Sequence, residues 1–456
     1  MAKVRKIYQT PLTINYKFSQ ENFTEFWNSF LESNIGKIYT SIPWNNLVKD
    51  LNIREQRVGR KTVFSPQGKI ALMFLKSYTQ LSDSKLMEQI NANYEYQFFC
   101  GIEITPSKKI KNYKIISDIR VEIAGRLNIC RSQSILAQAW KPFINNTDNV
   151  LADATCYETS MRYPTDVKLL WEATSWVFNQ IKKINKIIKG RMPRSRFDDQ
   201  KHKYTNYSKS RKKTYKQTHK RVESLLYLLE KLLGQLSDKE AQLPENYIFP
   251  EQYYTRIKTI RTILEQQIQL FDGKEVNGRI VSISKSYIRP IVRGKETKRV
   301  EFGAKVNVIQ IDRIDFIEHL SFKAFNEGIR LQSSILLAKE LFHNNIKVVG
   351  ADAIYANNAN RKYCTSHNII TGFVRKGRAS KEENNLRQAR KVINIKRSTE
   401  MEGAFGKHKN HYSLNRITAR TEKTEQLMIF FGIHTANALE IGRRIKEVQK
   451  ENRKSA

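Results

Sequence analysis

Asp153, Asp352 and Glu402 are the side chains in this sequence best suited to breaking a phosphodiester bond. Asp153 interrupts the apolar, β-branched run Asn149 to Tyr157, and Asp352 ends the run from Lys347 through Val348, Val349, Gly350 and Ala351. Both runs read as buried strands, and if the two were adjacent and parallel the acids would stand side by side. A carboxylate in such a place must be paired, metal-bound or protonated, because burying an unpartnered charge is costly. Glu400 and Glu402 open a helical pattern nearer the C-terminus and compete for the third position, since either can also simply favour the positive end of that helix. Mg²⁺ (with Mn²⁺ as a substitute) takes hard oxygen ligands and keeps positions open for water and phosphate. Two such metals about 4 Å apart clamp the attacking and leaving oxygens of a phosphodiester. Glu402, Phe405 and Lys409 share a helical face by spacing, which places Lys409 to contact a phosphate beside the metals. Glu158 and Asp166 are further acids near the first strand, metal-adjacent or structural, and His434 on an apolar helix reads as a core histidine rather than a ligand.

The elements that position these residues follow from periodicity. Ser65-Pro66 is an N-cap followed by proline, with Ile70, Leu72, Met73, Leu75 and Tyr78 at helical spacing. Ser82 and Asp83 cap a second helix, and a third is expected over Ile115 to Leu127. Helices joined by a tight turn beside the basic run Lys108 to Lys114 fit either a helix-turn-helix or an ordinary bundle. After the first acidic strand, Leu169 to Asp272 reads as three long amphipathic helices. Between the first two lies Arg191 to Arg221, crowded with cations such as Arg211, Lys212, Lys213 and Lys216 and interleaved with tyrosines; phosphate contact is the expected role. Gly278 to Ile283, Val300 to Ile309, Asp315 to Phe322, Lys347 to Asp352 and His367 to Val374 are expected strands. Helices are expected over Glu327 to Phe342, Asn357 to Cys364, Glu400 to His411 and Thr424 to Gln449, with Arg378 to Lys396 a basic loop or a helix lying on DNA.

The resulting division is a helical DNA-binding region over 1–145, a catalytic α/β domain over 146–166 and 276–449, a basic helical insertion over 167–275, and a polar tail over 450–456. The net charge of +36 over 456 residues favours a polyanionic partner. No apolar run approaches the roughly 20 residues of a membrane span, no secretory signal is visible at the start, and four scattered cysteines fit buried thiols in a reducing compartment better than disulfides or zinc.

Several segments together resemble the bacterial insertion-sequence transposases of the DDE class. Leu151 to Glu158 with Tyr163-Pro-Thr-Asp166 looks like the first-acid motif, Gly350 to Tyr355 with Asn360-Arg361 like the second, and Glu402 to Lys409 with Asn410-His411-Tyr412 like the third. Arg289 to Lys295 followed by Glu301 to Lys305 is similar to a segment after the helical insert in one branch, and Phe64 to Ile102 looks like the group's DNA-binding region. The family commonly has Arg four residues before the Glu; here that position is Ser398, with Arg397 one earlier. The resemblance implies an RNase H-like mixed sheet flanked by helices, with the long basic insertion after its first strand and an all-α N-terminal region. It implies Asp153, Asp352 and Glu402 as Mg²⁺ ligands and Lys409 as a DNA contact, with Arg397, Tyr355 and Tyr412 as further DNA contacts. It further implies a homodimer on double-stranded DNA, acting on terminal inverted repeats and target DNA in a bacterial, nucleoid-associated setting in the cytoplasm. Competing readings are an endonuclease without strand transfer, which would use the same acids, and a non-catalytic DNA-binding descendant of a transposase.

Overall fold

Local capping chemistry accounts for where the N-terminal helices begin. In the computed structural model, which describes residues 5–6, 20–55, 62–105, 107–292, 300–377 and 383–455, the side chains of Ser33, Ser65, Ser82 and Asn93 each accept a hydrogen bond from a backbone N–H in the following first turn. The elements run β1 (Arg5–Lys6), α1 (Gln20–Glu32), α2 (Asn34–Ser41), α3 (Trp44–Asp50), α4 (Pro66–Thr79), α5 (Asp83–Ala92), α6 (Tyr94–Cys100), β2 (Ile102–Glu103), α7 (Lys114–Arg126) and α8 (Ile129–Trp140). There follow β3 (Asn149–Thr159), α9 (Asp166–Ile187), α10 (Phe197–Lys209), α11 (Tyr215–Glu240), α12 (Glu251–Phe271), β4 (Pro290–Val292), β5 (Val300–Ile311) and β6 (Ile314–Ser321). The chain ends with α13 (Leu331–Phe342), β7 (Val348–Ala351), α14 (Asn358–Ser366), β8 (Ile370–Thr371), α15 (Glu383–His411), β9 (Arg416–Ile417) and α16 (Glu422–Ser455). The architecture is mixed α/β.

Two compact units emerge, and their limits differ from the expected domains. One takes Met1–Ser160, Ala304–Ser321 and Phe325–Ala456, so the N-terminal helices belong to the same unit as the acidic strands. The other takes Met161–Gly303 and Phe322–Ala324.

In the first unit the strands run β6-β5-β3-β7-β8, with β9 pairing the far end of β3. β3, β7 and β8 are parallel neighbours, while β5 and β6 form an antiparallel hairpin with an irregularity at Asn307/Val308. α16 unites this unit: its buried Phe430, Phe431 and Ile433 pack with Phe74 of α4 and Phe316 of β6, Phe74 meeting Phe431 edge-on at 4.8 Å. His434 lies in this core as expected, with Nδ1 facing Asn437 Nδ2 at 3.2 Å. Its Nε2 has no hydrogen-bond partner among the described residues, and burial holds the ring neutral by lowering its pKa to about 3.

A glycine decides how close α15 comes to the sheet. A Cβ on Gly350 of β7 would lie 2.7 Å from Leu151 Cδ2 and 3.0 Å from Ile393 Cγ2 on α15. Gly350→Ala is therefore expected to destabilise by about 1–3 kcal/mol through overpacking. The chemical-denaturation midpoint reads this; an unchanged midpoint would show that α15 yields without cost.

The second unit is built on heptad-like leucines. Leu225, Leu229, Leu232 and Leu236 of α11 pack with Val177, Ile181 and Ile184 of α9 and with Ile260 and Ile263 of α12, all buried. Trp171, Phe197 and Tyr204 stack beside them. β4 pairs antiparallel with Val300 to Phe302.

Four expectations are corrected. Gly278 to Ile283 forms no strand, the Gly278 carbonyl and the Ile280 N–H bonding the Gln266 side chain of α12, and His367 to Val374 contributes only Ile370–Thr371. The tail expected over 450–456 continues α16 as far as Ser455: its residues are polar but good helix formers. The helix expected to open at Glu400 already begins at Glu383, so Glu400 and Glu402 sit in mid-helix, away from its positive end. The stretch from Arg378 falls partly outside the described residues, and Arg293 to Lys295 lies wholly outside them.

Candidate active site

The strand register brings two of the three acids together. Ala152 of β3 is the partner of Ala351 of β7 in a parallel pair, so Asp153 and Asp352 each stand one residue further along neighbouring strands. Such strands lie about 4.8 Å apart. Asp153 Oδ1 accepts the N–H of Ala154 at 2.7 Å, and Asp352 Oδ1 accepts that of Ala353 at 2.7 Å. Asp153 is mostly buried, whereas Asp352 is exposed and caps a 3₁₀ turn over Ala353–Tyr355. Burial pushes the Asp153 carboxyl pKa up. The Ala154 N–H and the Arg397 guanidinium oppose the shift, and the negative charges of Glu327 and Asp352 add to it. Arg397 Nη1 sits 3.1 Å from Asp153 Oδ2.

Glu402 stands elsewhere on α15. That helix buries Ile393, Met401, Ala404, Phe405 and His408. Glu402 is exposed, five residues beyond Arg397, which is about 140° further round and about 7.5 Å along an α-helix. Glu400 is largely covered and lies 3.7 Å from Arg313. Among the described residues no three His, Cys, Asp or Glu side chains come close enough to hold a metal ion together.

Tyr355 and Tyr412, both read as DNA contacts, are buried. Tyr355 donates its hydroxyl to Asn307 Oδ1 at 2.5 Å; Asn307 Nδ2 in turn donates to Glu318 Oε2 at 2.8 Å and Ser334 Oγ at 3.0 Å. A ring so enclosed anchors the turn that carries Asp352 and does not offer itself to a phosphate. Tyr355→Phe leaves the Asn307 acceptor buried and unpaired, and an expected loss of about 1–3 kcal/mol in unfolding free energy should follow. A loss near zero would mean that water replaces the phenol.

Sequence reasoning missed three features of this region. Glu327, held by Lys305 Nζ at 2.9 Å, is a fourth acid whose charge reaches Asp153 and Tyr355. A buried chain joins Tyr157 Oη to His408 Nδ1 at 2.9 Å and His408 Nε2 to Asp315 Oδ2 at 3.2 Å. With Nε2–H donating to the carboxylate, Nδ1 accepts from the phenol. Lys409, partly buried, lies 6.0 Å from the centre of the Tyr157 ring. The alternating apolar pattern of β3 signals a buried Tyr157, but its partners are 158 and 251 residues away in sequence and leave no local trace.

In the second unit, Arg211, Lys212, Lys213 and Lys216 are all exposed, in the turn after α10 and the first turn of α11. Thr214 caps α11 with a full capping box to Gln217. The cations therefore crowd the positive end of a 26-residue helix, where they repel one another and attract anions. Tyr215 beside them is 84% exposed.

Residues 27–122, spanning most of α1 through α7, match the family model described as Transposase domain (DUF772). The match bears on these N-terminal helices, about a fifth of the chain, and for them supports a transposase family. No curated protein and no solved structure matches the chain. Among the described residues no helix is long and apolar enough to cross a membrane.

Proposed function

We propose that this protein is a DNA transposase of the DDE class with an RNase H-like catalytic domain. It hydrolyses a phosphodiester at the ends of an insertion element and then joins the freed 3′-hydroxyl to target DNA. The observation that carries the reading is the pairing of Asp153 and Asp352 across neighbouring parallel strands of a mixed, helix-flanked sheet. The transposase-domain match in the N-terminal helices and the net charge of +36 support it.

The donor set suits a divalent cation: two carboxylates side by side, one exposed, are oxygen-only ligands of the kind Mg²⁺ accepts while keeping its waters. Asp153 and Asp352 would hold it; Glu402, the third ligand of the DDE reading, faces solvent elsewhere on α15 and stands outside that pair. When bound, Mg²⁺ lowers the pKa of a water and offsets charge on the scissile phosphate. The rest of the work falls to the chain. The backbone N–H groups of Ala154 and Ala353 fix the carboxylate planes. Tyr355 and Asn307 brace the turn behind Asp352. Arg397 neutralises Asp153 and lies within reach of a phosphate brought to the pair. Lys409 contacts DNA further along α15. Two copies act together in this reading, one at each terminal inverted repeat.

Incubating the protein with duplex carrying the element ends, in Mg²⁺, Mn²⁺ or EDTA, tests the proposal. Metal-dependent nicking at a discrete position, followed by joining to a second duplex, is expected. Nicking without joining would identify an endonuclease instead, and tight binding without nicking in either metal would favour a DNA-binding descendant.

A further inference from the structure

Glu327 is a carboxylate that its own turn does not need. It opens the 3₁₀ turn Glu327–Ile329, which packs on the Ala353–Tyr355 turn behind Asp352: a Cβ on Gly328 would lie 2.5 Å from the Ile354 carbonyl oxygen. Three asparagines fasten the first turn. Asn326 Oδ1 accepts the Gly328 N–H at 2.9 Å, and the Gly328 carbonyl accepts from Asn357 Nδ2 at 2.8 Å and Asn360 Nδ2 at 2.6 Å. Lys305 Nζ holds the preceding residues, donating to the Phe325 carbonyl at 3.0 Å and lying 4.8 Å from the centre of the Phe325 ring. The turn is thus secured without the Glu327 side chain, whose Oε2 lies 2.9 Å from Lys305 Nζ and which water still reaches, at 17% exposure. The charge of Glu327 acts on Asp153 more strongly than that of Asp352 does, and on Tyr355 more strongly than either.

Three carboxylates, Asp153, Asp352 and Glu327, therefore gather with two ion-paired cations, Arg397 and Lys305, in a chain whose net charge is +36. We infer that Glu327 belongs to the cation site: it accepts hydrogen bonds from water on a divalent cation held by Asp153 and Asp352, and so sets how tightly that cation binds. The inference rests on the reading of Asp153 and Asp352 as cation ligands. Among the described residues the three acids do not come close enough to share one ion directly. Mg²⁺ keeps several of its waters, which gives a more distant carboxylate its route to the metal. Groups that act behind the ligands in this way carry a substantial part of metal affinity. Glu327 is then a positioning residue, and Lys305 has the opposite effect. Its ammonium competes with the cation for the same carboxylate and repels it.

Mn²⁺ binding to the full chain without DNA, read from the electron paramagnetic resonance of the free ion, tests this apart from any cleavage. The site at the acid pair is the one that Asp153→Asn removes. Glu327→Gln keeps the shape of the side chain and is expected to weaken that site about tenfold, the lower end of the range for groups behind metal ligands. Lys305→Met is expected to bind Mn²⁺ as tightly as wild type or more so, because the competing charge goes and the acid stays. Each variant breaks the same ion pair, so a pair that served only as a brace would make both weaken the site alike. The rise in Tm on adding Mn²⁺ should follow the same order, larger in Lys305→Met than in Glu327→Gln. Circular dichroism restricts the comparison to folded protein. Unchanged affinity in Glu327→Gln, or weaker binding in Lys305→Met, would overturn the inference and leave the acid pair standing as a cation site. Finding no site that Asp153→Asn removes would overturn both.

Discussion

Asp153→Ala is expected to abolish metal-dependent cleavage while leaving DNA affinity unchanged or slightly tighter. The carboxylate is mostly buried on a central strand, beside Asp352 and within reach of the charge of Glu327. Such negative charge is costly to bury and unhelpful to a polyanionic ligand. Arg397 offsets part of it, and a bound cation would offset the charge that Asp352 and Glu327 add. Removing the ligand should therefore cost more than the 10–100-fold typical of residues that merely orient a ligand. Binding should not suffer, because one negative charge near the phosphates disappears and Arg397 is released from its partner at 3.1 Å. Cleavage and filter-binding assays on the same preparation separate the two effects. Substantial residual cleavage would remove Asp153 from the mechanism, whatever the fold.

Neutralising Arg211, Lys212, Lys213 and Lys216 together should flatten the salt dependence of DNA binding. Each phosphate contact on duplex DNA contributes about 0.9 to the slope of log K against log salt. Four lost contacts would lower the slope by about 3.6, with the weakening greatest at low salt. All four side chains are exposed, so the substitutions leave the packed leucines of α9, α11 and α12 untouched. They also relieve like-charge crowding at the positive end of α11, and thermal stability should hold or rise. Comparing slopes in the 50–200 mM range for mutant and wild type decides it. An identical slope would show that this face is a solvated surface and that the excess charge acts elsewhere.

Local sequence determined the elements with strong periodicity or caps. Ser65 and Ser82 start α4 and α5, the leucine spacing of α11 gives its buried stripe, and the apolar runs of β3 and β7 give strands with an acid at a known offset. These are short-range effects, carried by a side chain and a backbone group a few residues apart. Weakly patterned stretches were less legible. Glycine and polar residues around Gly278 to Ile283 left the choice to packing, and the start of α15 was masked by a run of cations without an apolar stripe.

The pairing of Asp153 with Asp352 was legible only as a condition: if the two strands are parallel neighbours, the acids meet. Tertiary structure met that condition, and it also decided what no spacing could. It inserted Arg397 opposite Asp153, because Gly350 lets α15 lie close against β7. Glu402 was turned toward solvent, because the buried face of α15 is set by Ile393, Met401, Phe405 and His408. Tyr355 was carried inward to Asn307, 48 residues away, and Asp315 to His408, 93 residues away. Composition alone pointed to a polyanionic partner, since charge needs no fold to be counted. The partners of each buried polar group were set by the packing of distant segments, because a hydrogen bond depends on where two atoms meet and not on their separation along the chain.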